Sequence, residues 1–239
     1  MIDLGRILRA VIFIHLVLCC AACKTTSIQF SPDLQSEADY KIVKIDLTQE
    51  NLVIKSFSKN KSFVNPKTFA RNSGCQIAFN TTPFKKDGSP VGLIIKEGQL
   101  ISPAQKKYAA LCFYKEERGY SARIFDSQMD VNLSSPAPDY AFGGFWTILR
   151  DEKIHEFIDR KDYRMAAGLS SDGRTMWILA GKNLSYGDCA LILKKTGAAS
   201  AMEFDGGSSM WLVLNGKAQF PRIPHRRVSS GMGFILPSK

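Results

Sequence analysis

The sequence predicts an α+β protein, a single domain of mostly antiparallel twisted sheets with a few packed helices. Three observations lead there. Short apolar runs, several alternating apolar and polar residues, recur from residue 40 to the C-terminus. Turn signals separate them at close spacing: Glu97 with Gly98, Arg118 with Gly119, and Ser171 through Gly173. Only two stretches, residues 65–72 and 188–196, carry helix start and stop signals.

The elements follow in order. Residues 40–46 (YKIVKID) and 51–56 (NLVIKS) alternate as half-buried strands do. Residues 65–72 read as a short helix, with Asn65 as its cap and Pro66 in its first turn. Residues 76–79 (QIAF) form a buried strand that leads into the loop 80–84 (NTTPF). Residues 91–101 form a hairpin turning at Glu97 and Gly98, and residues 109–114 and 120–125 form a second. The Pro/Ser-rich stretch 132–139 joins segments of similar composition, so it reads as a loop within one domain. Residues 145–149 with 153–157, and 165–169 with 175–180, give two more hairpins. Residues 188–196 (DCALILKKT) are the clearest helix, capped by Asp188 and ended by Gly197. A strand at 201–204 enters a turn at 205–209, residues 210–215 lead away, and 231–236 close the fold.

The chain has 239 residues, 45% hydrophobic and 23% charged, enough to build a core without staples. That mix excludes a collagenous, coiled-coil or mostly disordered chain. The net charge of +10 admits nucleic acid, an anionic membrane or a phosphate-bearing substrate as partner. The N-terminus narrows this choice. Arg6 and Arg9 precede an apolar stretch at residues 10–22, and Ala21 and Ala22 precede Cys23. The stretch is too short to span a bilayer and fits a signal segment. With Cys23 as the lipidated residue, it resembles a bacterial lipoprotein signal, although Cys20 stands where that pattern usually has Leu. The expected organisation is a signal at 1–22, a polar tether at 23–38 and a folded domain at 39–239. Export and membrane anchoring through Cys23 follow as expectations, and nucleic acid is not expected as a partner. Cleavage would remove Asp3, Arg6 and Arg9, so nearly all of the basic surplus stays with the mature chain. Cys75, Cys112 and Cys189 remain in the domain. Outside the cytoplasm Cys75 and Cys112 are the first pair to consider for a disulfide, against three buried free thiols.

Four segments could carry chemistry. In Glu203-Phe204-Asp205-Gly206-Gly207-Ser208-Ser209 an apolar strand ends at acids, glycines and hydroxyls. Glycines let backbone approach a ligand, and exposed N–H groups beside Ser208 and Ser209 can cradle an anion. Two carboxylates two residues apart can divide acid and base work if their surroundings separate them. A plain tight turn is the structural alternative. Arg164 precedes a strand of small residues and could bind phosphate through its fork, or be an ordinary surface charge. The basic run from Arg222 to Arg227 could hold phosphate or touch anionic lipid, or be a solvated loop. Asn80, in the loop after a buried strand, could orient a sugar hydroxyl or cap a turn. No cofactor is expected. No spacing demands a metal, although Asp205 and nearby oxygens could bind a divalent cation.

In their order along the chain, these pieces resemble the phosphodiester glycosidase family. The resemblance spans roughly residues 70–236 and rests on Ala78 to Phe84, Gly88 to Ile95 with Gly98, Tyr163 to Gly168, Ser171 to Gly173, Thr196 to Ala198, Asp205 to Ser209, and Arg226-Arg227-Val228. It implies an exported α+β domain that hydrolyses a sugar-1-phosphodiester to free sugar and a phosphomonoester. By position it implies Asp205, in the signature turn, as base or nucleophile. Glu203, where many relatives have an uncharged residue, or Asp87 could supply a second carboxylate. It also implies that Arg164 and Arg227 hold the phosphate, and that Asn80, Gly206, Gly207, Ser208 and Ser209 line the substrate. The sequence departs from the family where Thr81 and Thr82 replace the glycines of Asn-Gly-Gly-Phe and Pro83 is added. Two other readings use the same residues without chemistry: a lipid-anchored protein that binds phosphorylated glycan, and a structural envelope lipoprotein docked on lipid or wall polymer.

Overall fold

The computed structural model describes residues 28–29, 40–58, 62–158, 160–220 and 226–237. The leader at 1–22, Cys23, most of the 23–38 segment, and residues 222–225 of the basic run lie outside the described residues.

In chain order the structure begins β1 (Ile28–Gln29), β2 (Tyr40–Asp46), β3 (Val53–Ser58), helix α1 (Pro66–Ser73) and β4 (Ile77–Asn80). It continues with β5 (Ile94–Lys96), β6 (Gln99–Ser102), β7 (Ala110–Lys115), β8 (Tyr120–Phe125), β9 (Tyr140–Gly143), β10 (Thr147–Arg150) and β11 (Lys153–Ile154). It ends with β12 (Asp162–Leu169), β13 (Thr175–Leu184), helix α2 (Tyr186–Lys195), β14 (Ser200–Glu203), β15 (Leu212–Leu214), β16 (Lys217–Ala218) and β17 (Ser230–Ile235). The expected α+β class, dominated by antiparallel strands, is what the chain adopts. Ile28 and Gln29, inside the segment read as a tether, pair with Val43 and Ile42 at one sheet edge.

The strands form three sheets. The first runs β1-β2-β13-β12-β14-β10-β11, the second β16-β15-β4-β17-β3, and the third β6-β5-β9-β7-β8. All three turn one face to a common core. Val43 and Ile178 enter it from the first sheet, Phe79 and Phe234 from the second, and Phe113 and Phe142 from the third. Hydrophobic burial of such side chains contributes roughly 1.5–3 kcal/mol each.

The outer face of the first sheet carries α2, which explains two sequence patterns. Strand β13 is apolar on both faces because Met176 and Ile178 meet the common core while Trp177 and Leu179 meet the helix side. Strand β12 is built of small residues because the helix lies close over it. A methyl group added at Gly168 would sit 2.9 Å from the Ala198 side chain and 3.2 Å from Leu193. Helix α1 matches its expected cap, with the Asn65 side chain accepting from the Lys67 and Thr68 N–H groups. Helix α2 begins earlier than expected. Ser185 is its cap, and Asp188 reaches back to close a reciprocal capping box from the third position.

Of the two readings of the cysteines, the Cys75–Cys112 disulfide is not formed: none of the three described cysteines is in a disulfide, and all three are buried. Each packs in a different apolar cluster. Cys75 lies with α1 on the second sheet, Cys112 on the outer face of the third, and Cys189 on α2. They fill space as small apolar residues. Burial pushes the Cys112 thiol up to about 12.

Candidate active site

Strands β4, β12 and β14 bring most of the sequence-selected residues to one end of the fold. β14 pairs with β12 so that Glu203 lies opposite Ala166. Arg164 is two residues before Ala166, and side chains two apart share a face. Arg164 and Glu203 therefore meet on the helix side of the sheet. Arg164 Nη1 lies 4.0 Å from Glu203 Oε1. Both side chains are buried. The rest of the guanidinium is held by backbone: Nε donates to the Leu184 carbonyl at 3.1 Å and Nη2 to the Arg160 carbonyl at 2.6 Å. Tyr186, in the first turn of α2, places its ring 4.0 Å from the Arg164 guanidinium carbon. Strand, following strand and helix thus all fix this one arginine.

The chain leaves β14 at Glu203 and turns through Asp205. The Asp205 N–H donates to the Thr81 carbonyl at 3.0 Å. Its carbonyl accepts from Asn80 Nδ2 at 2.6 Å. Asn80 Oδ1 in turn accepts the Trp211 N–H at 2.8 Å. One buried amide therefore clamps both ends of the loop that carries Asp205 to Ser209. The sequence offered Asn80 as a sugar ligand or a turn cap, and the structure engages its donor and its acceptor on backbone.

Gly206 joins the two halves of the site. A Cβ built there would lie 2.6 Å from the Tyr163 carbonyl oxygen and 3.6 Å from Glu203 Oε1. Only a residue without a side chain lets this turn lie against Tyr163 and Arg164. Gly207 takes a positive φ of 54° and starts a short 3-10 turn to Ser209. Ser209 is buried and its hydroxyl bonds the Asp205 carboxylate. Ser208 is exposed.

Asp205 is the perturbed carboxylate of the site. Burial raises it from 3.8 to about 6, while the Ser209 hydroxyl and the positive charge of Arg226 pull it partly back. Arg226 donates from Nη1 to Ser208 Oγ at 3.0 Å and lies 4.8 Å over the Phe84 ring. Its carbonyl accepts from Trp211 Nε1 at 2.7 Å. The arginine facing Asp205 is thus Arg226. Arg227, the residue selected from the sequence, is exposed like Arg226, but it is Arg226 that bonds Ser208 and whose charge acts on Asp205. Alternation in an irregular loop gives no phase, so neighbouring arginines are indistinguishable until the loop is placed. Asp87 is exposed and accepts the Ser89 N–H at 2.9 Å, closing its own turn. Tyr186 was not singled out in the sequence, because only the packing of α2 on β12 brings it to Arg164. Among the described residues no group of three or more His, Cys, Asp or Glu side chains is placed to hold a metal.

This arrangement defines a class: an antiparallel α+β protein whose site pairs a half-buried carboxylate of raised pKa with nearby guanidinium groups on a glycine turn. The chain belongs to the phosphodiester glycosidase family, whose profile it matches over residues 73–235. No curated protein matches the sequence. Among solved structures, it is similar to the zebrafish N-acetylglucosamine-1-phosphodiester alpha-N-acetylglucosaminidase catalytic domain, auto-inhibited by its pro-peptide. The TM-score is 0.66 at 16% identity, covering 89% of this chain and 87% of that one. It is also similar to a hypothetical protein from Synechocystis, with a TM-score of 0.63 at 15% identity. That match covers 82% of this chain and 58% of the Synechocystis chain, so this chain spans less than two thirds of that protein's length. At these identities the structural likeness concerns the fold.

Proposed function

We propose that the chain hydrolyses a sugar-1-phosphodiester, releasing free sugar and a phosphomonoester. The observation that carries this reading is Asp205: a carboxylate on a glycine turn, raised to about 6 by desolvation and drawn partly back by the charge of Arg226, whose guanidinium is held by Ser208 and Phe84. In the reaction, the bond between the anomeric carbon and the phosphate oxygen breaks and water supplies the new hydroxyl. A phosphomonoester leaves more readily than a sugar alcohol, so cations on the phosphate matter more than strong protonation of the leaving oxygen. Arg226 is placed to neutralise that phosphate. Asp205, once ionised, takes the proton of the attacking water or attacks the anomeric carbon itself. Glu203 is the second carboxylate, and the Arg164–Tyr186 contact fixes its setting. Asn80 and Ser209 are positioning residues, acting through the loop and the Asp205 carboxylate.

Hydrolysis of a panel of sugar-1-phosphodiesters by the purified protein tests this reading. Release of free sugar that is lost in Asp205→Asn supports it. Binding of the panel without any product rejects catalysis in favour of a glycan-binding role. Export and lipid attachment at Cys23 are a further part of the proposal, supported by the leader residues alone. Mass spectrometry of the membrane fraction should find diacylglyceryl on an N-terminal Cys23. An intact leader or an unmodified N-terminus rejects it.

A further inference from the structure

The far end of the same strands holds a second cleft that the proposed reaction does not use. It has a volume of about 540 Å³ and lies between β8, the β12–β13 turn and the start of β14. Arg164 and Leu169 stand near opposite ends of β12, five residues apart, or about 17 Å along the strand. The cleft is therefore distinct from the Asp205 site.

Three arginines line it: Arg123 on β8, Arg150 at the end of β10 and Arg174 after the turn. Glu116, Asp151 and Asp172 line it as well, but two of these carboxylates already serve the scaffold. Glu116 accepts from the Ser121 hydroxyl at 2.6 Å. Asp172 accepts from the Ser170 hydroxyl at 2.6 Å and the Arg174 N–H at 3.0 Å. Arg150 is anchored by the Ile124 carbonyl at 3.1 Å and by Asp126. Its Nε is buried and has no partner among the described residues. Arg123 and Arg174 are exposed and form no ion pair among the described residues. Arg123 lies 5.9 Å over the Tyr114 ring, and the charge of Arg174 acts on Asp172. Two exposed forks outside any ion pair, beside a buried orphan N–H, suit an anion with several oxygens. The Ser171 and Ser200 hydroxyls and the carboxylate rim suit the hydroxyl groups of a sugar.

We propose that this cleft is a second, non-catalytic binding site for a phosphate-bearing glycan segment, with Arg123 and Arg174 holding the phosphate. It deepens the glycosidase reading, because it makes the substrate polymeric and contacted at two places. Binding here nevertheless does not depend on turnover at Asp205.

The test is calorimetric titration of the full chain with a sugar 1-phosphate and with inorganic phosphate. Wild type, Arg123→Ala/Arg174→Ala and Arg226→Gln are compared. Both cleft arginines are exposed, so the double variant should fold, and circular dichroism checks this. The sugar phosphate should bind the cleft at least about tenfold more weakly in the double variant. Arg226→Gln should leave cleft binding unchanged, and salt should weaken it. The sugar phosphate should also bind more tightly than inorganic phosphate. Identical isotherms for wild type and double variant overturn the proposal, as does a wild type that binds nothing. Equal affinity for inorganic phosphate overturns the glycan assignment. If cleft binding is lost in the double variant while wild type turns over no sugar-1-phosphodiester, the catalytic reading falls and the cleft stands. Turnover with identical isotherms has the reverse meaning.

Discussion

Two turns of nearly the same composition sit at opposite ends of the central strands. Ser170 to Gly173 joins β12 to β13, and Asp205 to Ser209 follows β14. Each holds one aspartate with glycine and serines. Asp172 is exposed, and the Ser170 hydroxyl and a backbone N–H hold it below the usual carboxylate range. Asp205 is half-buried, and desolvation raises it to about 6. The same hydrogen-bonding chemistry acts on both, and burial decides the sign. At the first turn the aspartate stabilises a loop. At the second, Asn80, Thr81 and Tyr163 draw the chain into the protein, and the carboxylate is held where its charge is costly. Composition marks a turn, whereas the surroundings make a site.

The contrast can be broken most strongly at Asp205. Asp205→Asn should lower kcat/KM for a sugar-1-phosphodiester by about 10²–10⁴-fold. Asp172→Asn should leave it unchanged. Equal losses in the two variants would mean that the turns do not differ in role.

Arg226→Gln should come next, with kcat/KM falling about tenfold to a hundredfold. It should also move the acid limb of the pH–rate profile upward, because a cation that favours ionised Asp205 is gone. Arg227→Gln should do neither.

Asn80→Ala removes both clamps on the loop and should destabilise the fold by about 1–3 kcal/mol in urea titration. If stability holds and only KM rises, Asn80 touches substrate and the positioning role is wrong.

The smallest effect concerns stability and pH. The pKa of Asp205 is higher in the folded than in the unfolded chain, so the native state holds this proton more tightly. Its contribution to stability is present at low pH and declines as pH rises from about 4 to about 6. At pH 7 the ionised, partly desolvated carboxylate is a liability. Asp205→Asn should therefore raise stability at pH 7 by up to about 2 kcal/mol while removing activity. A thermal melt that is unchanged or lowered at pH 7 would count against burial as the cause of the shift.

The same comparison shows what was legible in the sequence. The hairpins at Glu97 and Gly98 and at Gly119 were readable because alternation and turn residues are local signals. The cap of α1 was readable because Asn65 stands alone before Pro66. The start of α2 was misplaced because Ser185 and Asp188 are both capping residues, and a capping box uses both. The Asp205 turn, Arg164 and Glu203 could be selected by residue type, but not their contacts. Whether Arg226 or Arg227 faces the carboxylate depends on the path of an irregular loop. Whether Asn80 holds sugar or backbone depends on two partners, 125 and 131 residues away. The cysteines were ambiguous for the same reason: pairing depends on which cluster each residue enters.

The central claim is that a half-buried Asp205, ionising near 6, performs the chemistry. The pH dependence of kcat/KM for a sugar-1-phosphodiester tests it most directly. As base or nucleophile Asp205 must be ionised, so the rate should rise with pH through a limb near 6. The Asp205→Asn variant should lack that limb along with the activity. A rate that is flat from pH 4 to 8, or a limb that survives in Asp205→Asn, would contradict the account.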